Sequence, residues 1–499
     1  MGIVIRQSIK ATIVNYVGAF IGFLTTMYIL TKYIQPEVIG LTRVLYEAAA
    51  FIANIALLGI TSSSMRFFPY FRNPENKDNG FFFFLLLLPT LGILFCIPLY
   101  LLLKEPIGAF FGKNSGLFMD YYYWVVPLVL LLVYWITFET YATQKMRIVV
   151  PRFIREIGVR VMLLVIYLLY AFGGLSLNGL IIAFVGIYAV ALLSSFAYVC
   201  RIGNVTFKHN FSYIDRSLRE KIIRYTLFLI LGTLGGGILG QLDLFMVSSE
   251  LGLDYAGIYS IAFYIGVVIE IPSRSISPIT SPLAATALKE GDFVTANNLY
   301  RKVALHQFVA GSCVFLLIWI NIDNIFSIIP NGQIYQMGKW VVFFIALNRL
   351  INVTLSFGGT LLSFSKYYYW GLYFTLFLTA LGIVTNLLLI PRLGITGAAV
   401  ATFISGVVFF SIQQWMVMIK IGGNPYSKGL LKQLVLILGL FGINYLLPVW
   451  SLNPFLDGVY RSLIIGILLV WGVYRLRISE EVCTLIENSW KYIFFRKRR

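Results

Sequence analysis

Of the 499 residues, 59% are hydrophobic and only 12% charged, with a mean hydropathy of +0.84. A soluble chain carries about 25% charged residues, so the composition excludes a soluble globular protein and defines a polytopic membrane protein. The net charge of +18 would suit a nucleic-acid partner, but the lysines and arginines fall in alternate loops between apolar runs, which is the pattern of membrane topology and excludes a nucleic-acid surface.

Windows of about 20 apolar residues recur fourteen times, near 10–31, 41–62, 81–103, 121–142, 158–174, 180–200, 222–248, 257–283, 303–322, 337–362, 368–390, 396–419, 431–449 and 459–476. The expected fold class is all-α and polytopic, with about fourteen transmembrane helices. Arg6 and Lys10 precede the first span. Arg66, Arg72 and Lys77 follow the second. Lys145, Arg147, Arg152, Arg155 and Arg160 surround the loop between the fourth and fifth, and the loop between the sixth and seventh is strongly basic. About 30 of the 39 basic residues then lie on one side, which the positive-inside rule makes cytoplasmic together with both termini. The outer loops are short. The aromatic clusters Tyr121–Trp124 and Tyr367–Trp370 read as interface anchors.

Spans 1–6 and 7–12 read as two copies. Glu37-Val38-Ile39-Gly40 matches Asp254-Tyr255-Ala256-Gly257, Trp124-Val125-Val126 matches Trp340-Val341-Val342, and Asn178-Gly179 matches Thr396-Gly397, all at nearly one offset. The expected organisation is a six-helix repeat over 1–205, a second over 206–425, and an extra helix pair with a basic cytoplasmic tail over 426–499. Parallel repeats of this kind enclose a central cavity and alternate its access by rocking.

The stretch 251–283 carries the most chemistry. Glu270 lies about 13 residues into its span, roughly 20 Å deep at about 1.5 Å per residue. Arg274 stands four residues on, on the same face of a regular helix, and Pro272 predicts a bend or break beside them. A charge facing lipid costs about 2.5–3.5 kcal/mol even on the lenient insertion scale, so these residues face other helices or a wet cavity. They read either as an internal ion pair or as part of a substrate path. Arg349 lies mid-span between Asn348 and Asn352, too deep to snorkel. Arg43 and Glu47 sit four apart in the second span, Asp243 lies near the outer end of the seventh, Glu139 ends the fourth, and Arg66 ends the second on the inner side. Arg43 and Arg66 also fit as snorkelling helix-end arginines.

No residue spacing suggests a metal cluster, a nucleotide-binding glycine loop or a nucleophile–histidine pair. Gly235-Gly236-Gly237 falls inside a span and reads as close helix packing.

Pro36–Gly40 before the second span, Gly59 with Arg66-Phe67 at its close, Asp243 followed by Gly257-Ile258-Tyr259, and the run from Asn386 to Ala399 resemble the bacterial polysaccharide flippases of the Wzx type, in the multidrug/oligosaccharidyl-lipid/polysaccharide exporter superfamily. The resemblance covers about the first 420 residues. It implies a flippase of the bacterial inner membrane, not an enzyme, that moves undecaprenyl-pyrophosphate-linked oligosaccharide, such as an O-antigen unit for lipopolysaccharide, to the periplasmic leaflet. It further implies membrane lipids, a polysaccharide polymerase and glycosyltransferases as partners. No cofactor is expected beyond coupling to protons or sodium. On this reading Arg274, Arg349, Arg43 and Arg66 hold the anionic headgroup, and Glu270, Asp243 and Glu47 couple or gate. The runner-up is a cation-coupled drug or small-molecule antiporter of the same superfamily. A membrane glycosyltransferase or polymerase would want a larger outer loop rich in carboxylates. The arginine-rich first span expected of lipid II flippases is replaced by Gly18-Ala19-Phe20-Ile21-Gly22.

Overall fold

The computed structural model describes residues 14–15, 17–71, 73, 77–111, 114–145, 147–203, 205–206, 220, 222, 241–448, 453–484 and 487. Gly235-Gly236-Gly237 and most of the basic loop before it lie outside these. So do the side chains of Arg66 and Arg274, although their backbone is described.

The all-α polytopic expectation is borne out. The described residues contain no strand, and eleven helices are long and apolar enough to cross a membrane. The three remaining windows hold a shorter apolar helix, Val17–Tyr33, a helix over 149–171, and the described part of a helix over 241–251. The chain divides into two compact units, Met1–Ser260 and Ile261–Arg499.

The first unit contains α1 (Val17–Tyr33), α2 (Pro36–Ala56), α3 (Ile60–Phe71), α4 (Phe81–Leu102), α5 (Val125–Gln144), α6 (149–171), α7 (Leu177–Ile202), α8 (241–251) and the start of α9 (Leu253–Gly266). Proline at the first position of α2 carries no amide hydrogen to strand, and Glu37 in the first turn complements the helix dipole. Leu58 and Gly59 adopt left-handed backbone, which separates α2 from α3. The hub is α5, packed against α2, α4 and α7. Of the anchor cluster before it, Tyr121 and Tyr122 are buried and only Tyr123 is markedly exposed. Tyr122 stacks on Tyr100 at 4.3 Å, so those two rings are core.

The fifth span begins earlier than hydropathy suggests. Helix α6 starts at residue 149 and passes through a π-turn at Ile154–Gly158 before the apolar stretch Val159–Ala171. Arg152, Arg155, Glu156 and Arg160 therefore ride on the helix, and π-turns of this kind are frequent at functional sites.

The second unit contains the end of α9 with a 3-10 turn at Val267–Glu270, then α10 (Ser273–Lys289), α11 (Phe293–Ile320), α12 (Lys339–Phe364), α13 (Trp370–Leu393), α14 (Ile395–Ile421), α15 (Lys428–Leu446) and α16 (Pro454–Arg475). Helix α12 packs against α11 and α14, and α13 folds back on α14 through Gly394, whose φ of +59° suits glycine. The α11 start is capped by Asp292, which accepts from the Thr295 amide at 2.9 Å; hydrogen bonds from Thr295 hold its carboxyl below the usual carboxylate range. Helices α15 and α16 pair and lean on α11. Buried Arg461 locks them: its Nε donates to Asp457 Oδ2 at 2.7 Å and its Nη1 to Asn444 Oδ1 at 2.9 Å.

Reporter fusions test the direction of these helices. Fusions at Gly203 and Lys428 are expected to read cytoplasmic and one at Gly252 external; an external signal at Gly203 would overturn the alternation.

Candidate functional site

In the second unit the site forms where one helix breaks against another. Pro272 has no amide hydrogen to continue an α-helix, and the backbone tightens to 3-10 over Val267–Glu270 before α10 starts at Ser273. This places Glu270 against the middle of α12. Arg349 Nη1 donates to Glu270 Oε1 at 2.8 Å, and Asn352 Nδ2 stands 3.5 Å from the same oxygen. The guanidinium also lies over the Phe263 ring, 5.3 Å from its centroid. Arg349 Nε and Asn348 Oδ1 are buried without a hydrogen-bond partner. In the structure Glu270 meets Arg349 across from α12; the expected pairing with Arg274 falls on a side chain outside the described residues.

In the first unit three further pairs gather on α2, α5 and α6. Arg43 Nη2 meets Glu47 Oε1 at 2.8 Å, one helical turn apart. Glu47 Oε2 also accepts from Gln241 Nε2 of α8 at 3.2 Å. Arg155 reaches from the π-turn of α6 to Glu139 on α5, with its guanidinium 5.3 Å from the Trp135 ring. Arg160 Nη2 meets Glu156 Oε2 at 2.7 Å, while its Nη1 donates to the Gly18 carbonyl of α1 at 2.6 Å. A Cβ on Gly18 would stand 2.4 Å from the Glu156 carbonyl oxygen. The first span is thus pressed backbone to backbone against α6, and the cation beside it comes from α6.

All four pairs share one asymmetry. The side-chain exposures are 48% and 13% for Arg43 and Glu47, 41% and 15% for Arg155 and Glu139, 31% and 19% for Arg160 and Glu156, and 26% and 22% for Arg349 and Glu270. In every case the arginine is the more exposed member, by a wide margin for Arg43 and Arg155 and narrowly for Arg349. Charges on membrane-spanning helices must turn away from lipid, and each of these arginines is neutralised by a carboxylate within salt-bridge distance.

The remaining sequence candidates fall as follows. Asp243 accepts from the Tyr259 hydroxyl at 2.8 Å, within the first unit and joining α8 to α9. Arg66 lies on α3, with its side chain outside the described residues. The sequence reading places Arg155 and Arg160 around the loop between the fourth and fifth spans and does not single out Glu156. The signal that could have found them is the spacing of Glu156 and Arg160, four apart as on a helix face.

The helix count and the absence of strands among the described residues define a polytopic helical membrane protein. A family model described as polysaccharide biosynthesis protein matches residues 4–283, more than half of the chain. The chain belongs to that family, and its fold is that of the multidrug/oligosaccharidyl-lipid/polysaccharide exporter superfamily. It is similar to the solved lipid II flippase MurJ in an inward closed conformation, with a TM-score of 0.72, 14% identity, and coverage of 94% of this chain and 100% of that one. It is also similar to an inward-facing multidrug resistance MATE transporter, with a TM-score of 0.59, 14% identity, and coverage of 81% and 94%. At these identities the likeness concerns the fold. An uncharacterized membrane protein of Methanocaldococcus jannaschii is 24% identical over 274 residues, 53% of this chain and 51% of that protein; the match spans about half the length of that curated relative.

Proposed function

We propose that the protein is a flippase for polyprenyl-pyrophosphate-linked oligosaccharide, carrying the glycan from the cytoplasmic to the outer leaflet of the cytoplasmic membrane by alternating access, without making or breaking covalent bonds. Membrane lipids surround it, and the enzymes that assemble and polymerise the glycan supply and consume its cargo. The observation that carries this reading is that Arg43, Arg155, Arg160 and Arg349 stand on spanning helices, each paired with a carboxylate and more exposed than it. A pyrophosphate offers several oxygens to planar guanidinium forks, and family membership supplies the glycan.

The backing carboxylates suit a carrier that must also release. With no cargo, Glu47, Glu139, Glu156 and Glu270 neutralise their arginines. Arriving cargo competes for the arginines and frees carboxylates to take up protons or sodium, which gives the coupling. Arg66 and Arg274 join the headgroup set on sequence position alone, and Asp243 joins the gating set through its bond to Tyr259.

The test is flipping in proteoliposomes loaded with fluorescent polyprenyl-pyrophosphate-linked oligosaccharide. The glycan should become accessible to an externally added hydrolase faster than in protein-free vesicles. No acceleration with verified insertion would refute the reading, and dye-stimulated proton or sodium exchange in the same vesicles would favour the drug-antiporter alternative.

A further inference from the structure

Between Asp323 and Asp457 the chain holds no aspartate or glutamate, yet it carries seven lysines and arginines. Helices α12 to α15 fall in this stretch, so their cations must find anions elsewhere. Lys339 pairs with Asp323 and Arg349 with Glu270. Among the described residues neither Lys366 nor Lys420 forms an ion pair. The two share one aromatic ring instead: the Lys366 ammonium lies 5.3 Å and the Lys420 ammonium 5.8 Å from the centroid of Tyr367.

A turn and a helix end build this meeting within the second unit. Tyr367 stands in the turn from α12 to α13. Its amide donates to the Ser365 hydroxyl at 3.1 Å, its carbonyl accepts from the Trp370 amide at 3.1 Å, and its ring packs against the buried cluster of Tyr300, Leu361 and Val417. Lys420 lies in the last turn of α14. Gly422 ends that helix in left-handed backbone at a φ of +75°, and the amides of Gly422 and Gly423 return to the carbonyls of Met418 and Val417. The core thus fixes the ring, and two exposed like charges are brought to it with no carboxylate between them. Close by in sequence, Tyr369 and Tyr373 are exposed and touch at 6.4 Å, and Trp415 and Ile419 are exposed one turn apart on α14. Tyrosine and tryptophan gather at the headgroup boundary of a bilayer, and the loop charges put this boundary on the cytoplasmic side.

We propose that Lys366, Lys420 and Tyr367 form a headgroup site for an anionic glycerophospholipid of the cytoplasmic leaflet, of the phosphatidylglycerol kind, held as a fixed lipid at the foot of α12 and α14. Basic pockets between spanning helices on that side suit anionic head groups. A phosphodiester spreads one negative charge over two free oxygens, so each ammonium can meet one of them, and the exposed apolar side chains of α13 and α14 offer the acyl chains a surface. Lysines are point charges without a planar fork, which fits a singly charged phosphodiester better than the pyrophosphate assigned to the arginines. The lipid stays while cargo passes, so the proposal does not depend on which cargo is carried.

The test is native mass spectrometry of the purified full chain, titrated with phosphatidylglycerol or with phosphatidylcholine of the same acyl chains. The parent should bind its first phosphatidylglycerol more tightly than phosphatidylcholine. Lys366→Gln/Lys420→Gln should weaken that first phosphatidylglycerol about tenfold and leave phosphatidylcholine unchanged, and Lys366→Arg/Lys420→Arg should keep most of the affinity. Lys428→Gln/Lys432→Gln removes the same charge from the same end at lysines that do not share the Tyr367 ring, and should weaken binding less than twofold. Equal losses in the two glutamine pairs would overturn the site in favour of diffuse surface attraction. Displacement of phosphatidylglycerol by excess inorganic phosphate would reduce it to an anion site, and displacement by polyprenyl pyrophosphate would make it a cargo site; either result overturns the assignment. If the glutamine pair does not accumulate, the parent decides, and equal affinity for the two phospholipids overturns the proposal.

Discussion

Arg349→Ala should abolish glycan flipping at unchanged protein level, and Glu270→Gln should leave a folded, glycan-binding protein whose transport no longer depends on pH. Loss of Arg349 removes a fork able to bind two phosphate oxygens; Arg349→Lys should recover only part of the activity. For Glu270 the competing idea is a pair that merely holds α9 to α12, and magnitudes separate the two. A fully buried arginine stripped of its partner costs about 3–5 kcal/mol, enough to deplete the protein. An exposed pair contributes about 0–1 kcal/mol. Arg349 and Glu270 are 26% and 22% exposed, and Arg349 keeps its stacking on Phe263 and the nearby Asn352 amide. Its penalty falls well below the buried limit, so Glu270→Gln should accumulate normally. A folded Glu270→Gln protein with the parental pH profile would rule the coupling role out. Normal flipping in Arg349→Ala would remove the headgroup role.

Local rules carried the sequence reading far where the structure is local. The fourteen windows follow from the length of chain needed to cross a bilayer, and each holds helix among the described residues. The break beside Pro272 follows from a missing amide hydrogen. The Arg349 partner of Glu270 was not legible, because a partner on α12 leaves no local mark on α9. The polar triplet Asn348, Arg349 and Asn352 did mark α12 as the strand of chemistry in an apolar helix. The start of α6 was missed for a related reason. Averaged hydropathy falls wherever charges gather, whether they face water or one another, and Arg155, Glu156 and Arg160 face partners. The match of Gly40 with Gly257 was visible as an offset, but a one-dimensional offset cannot show that the two matched turns touch, a Cβ on Gly40 falling 2.0 Å from the Leu253 carbonyl oxygen.

Arg155→Ala should weaken binding of polyprenyl-pyrophosphate-linked glycan by about ten- to a hundredfold, since a hydrogen bond to a charged group contributes about 1.5–3 kcal/mol and about 1.4 kcal/mol is tenfold in affinity. Arg155→Lys should fall between, keeping the charge but losing the planar fork and most of the stacking on Trp135. The alternative is that Arg155 serves only to neutralise Glu139, the more buried member of the pair. The two roles separate in the double variant Arg155→Gln/Glu139→Gln. If neutralisation is the whole role, removing both charges leaves nothing uncompensated, and binding and protein level return toward the parent. If Arg155 presents its guanidinium to cargo, the double variant accumulates well and still binds poorly. The single variant Glu139→Gln sharpens the contrast. It frees Arg155 from its competing anion, so at constant protein level it should bind the glycan pyrophosphate more tightly than the parent while releasing it more slowly, and turnover should fall although affinity rises. Tighter binding with slower flipping in Glu139→Gln, together with weak binding in the double variant, is the expected pair of results. Parental binding in the double variant would return Arg155 to a purely structural role.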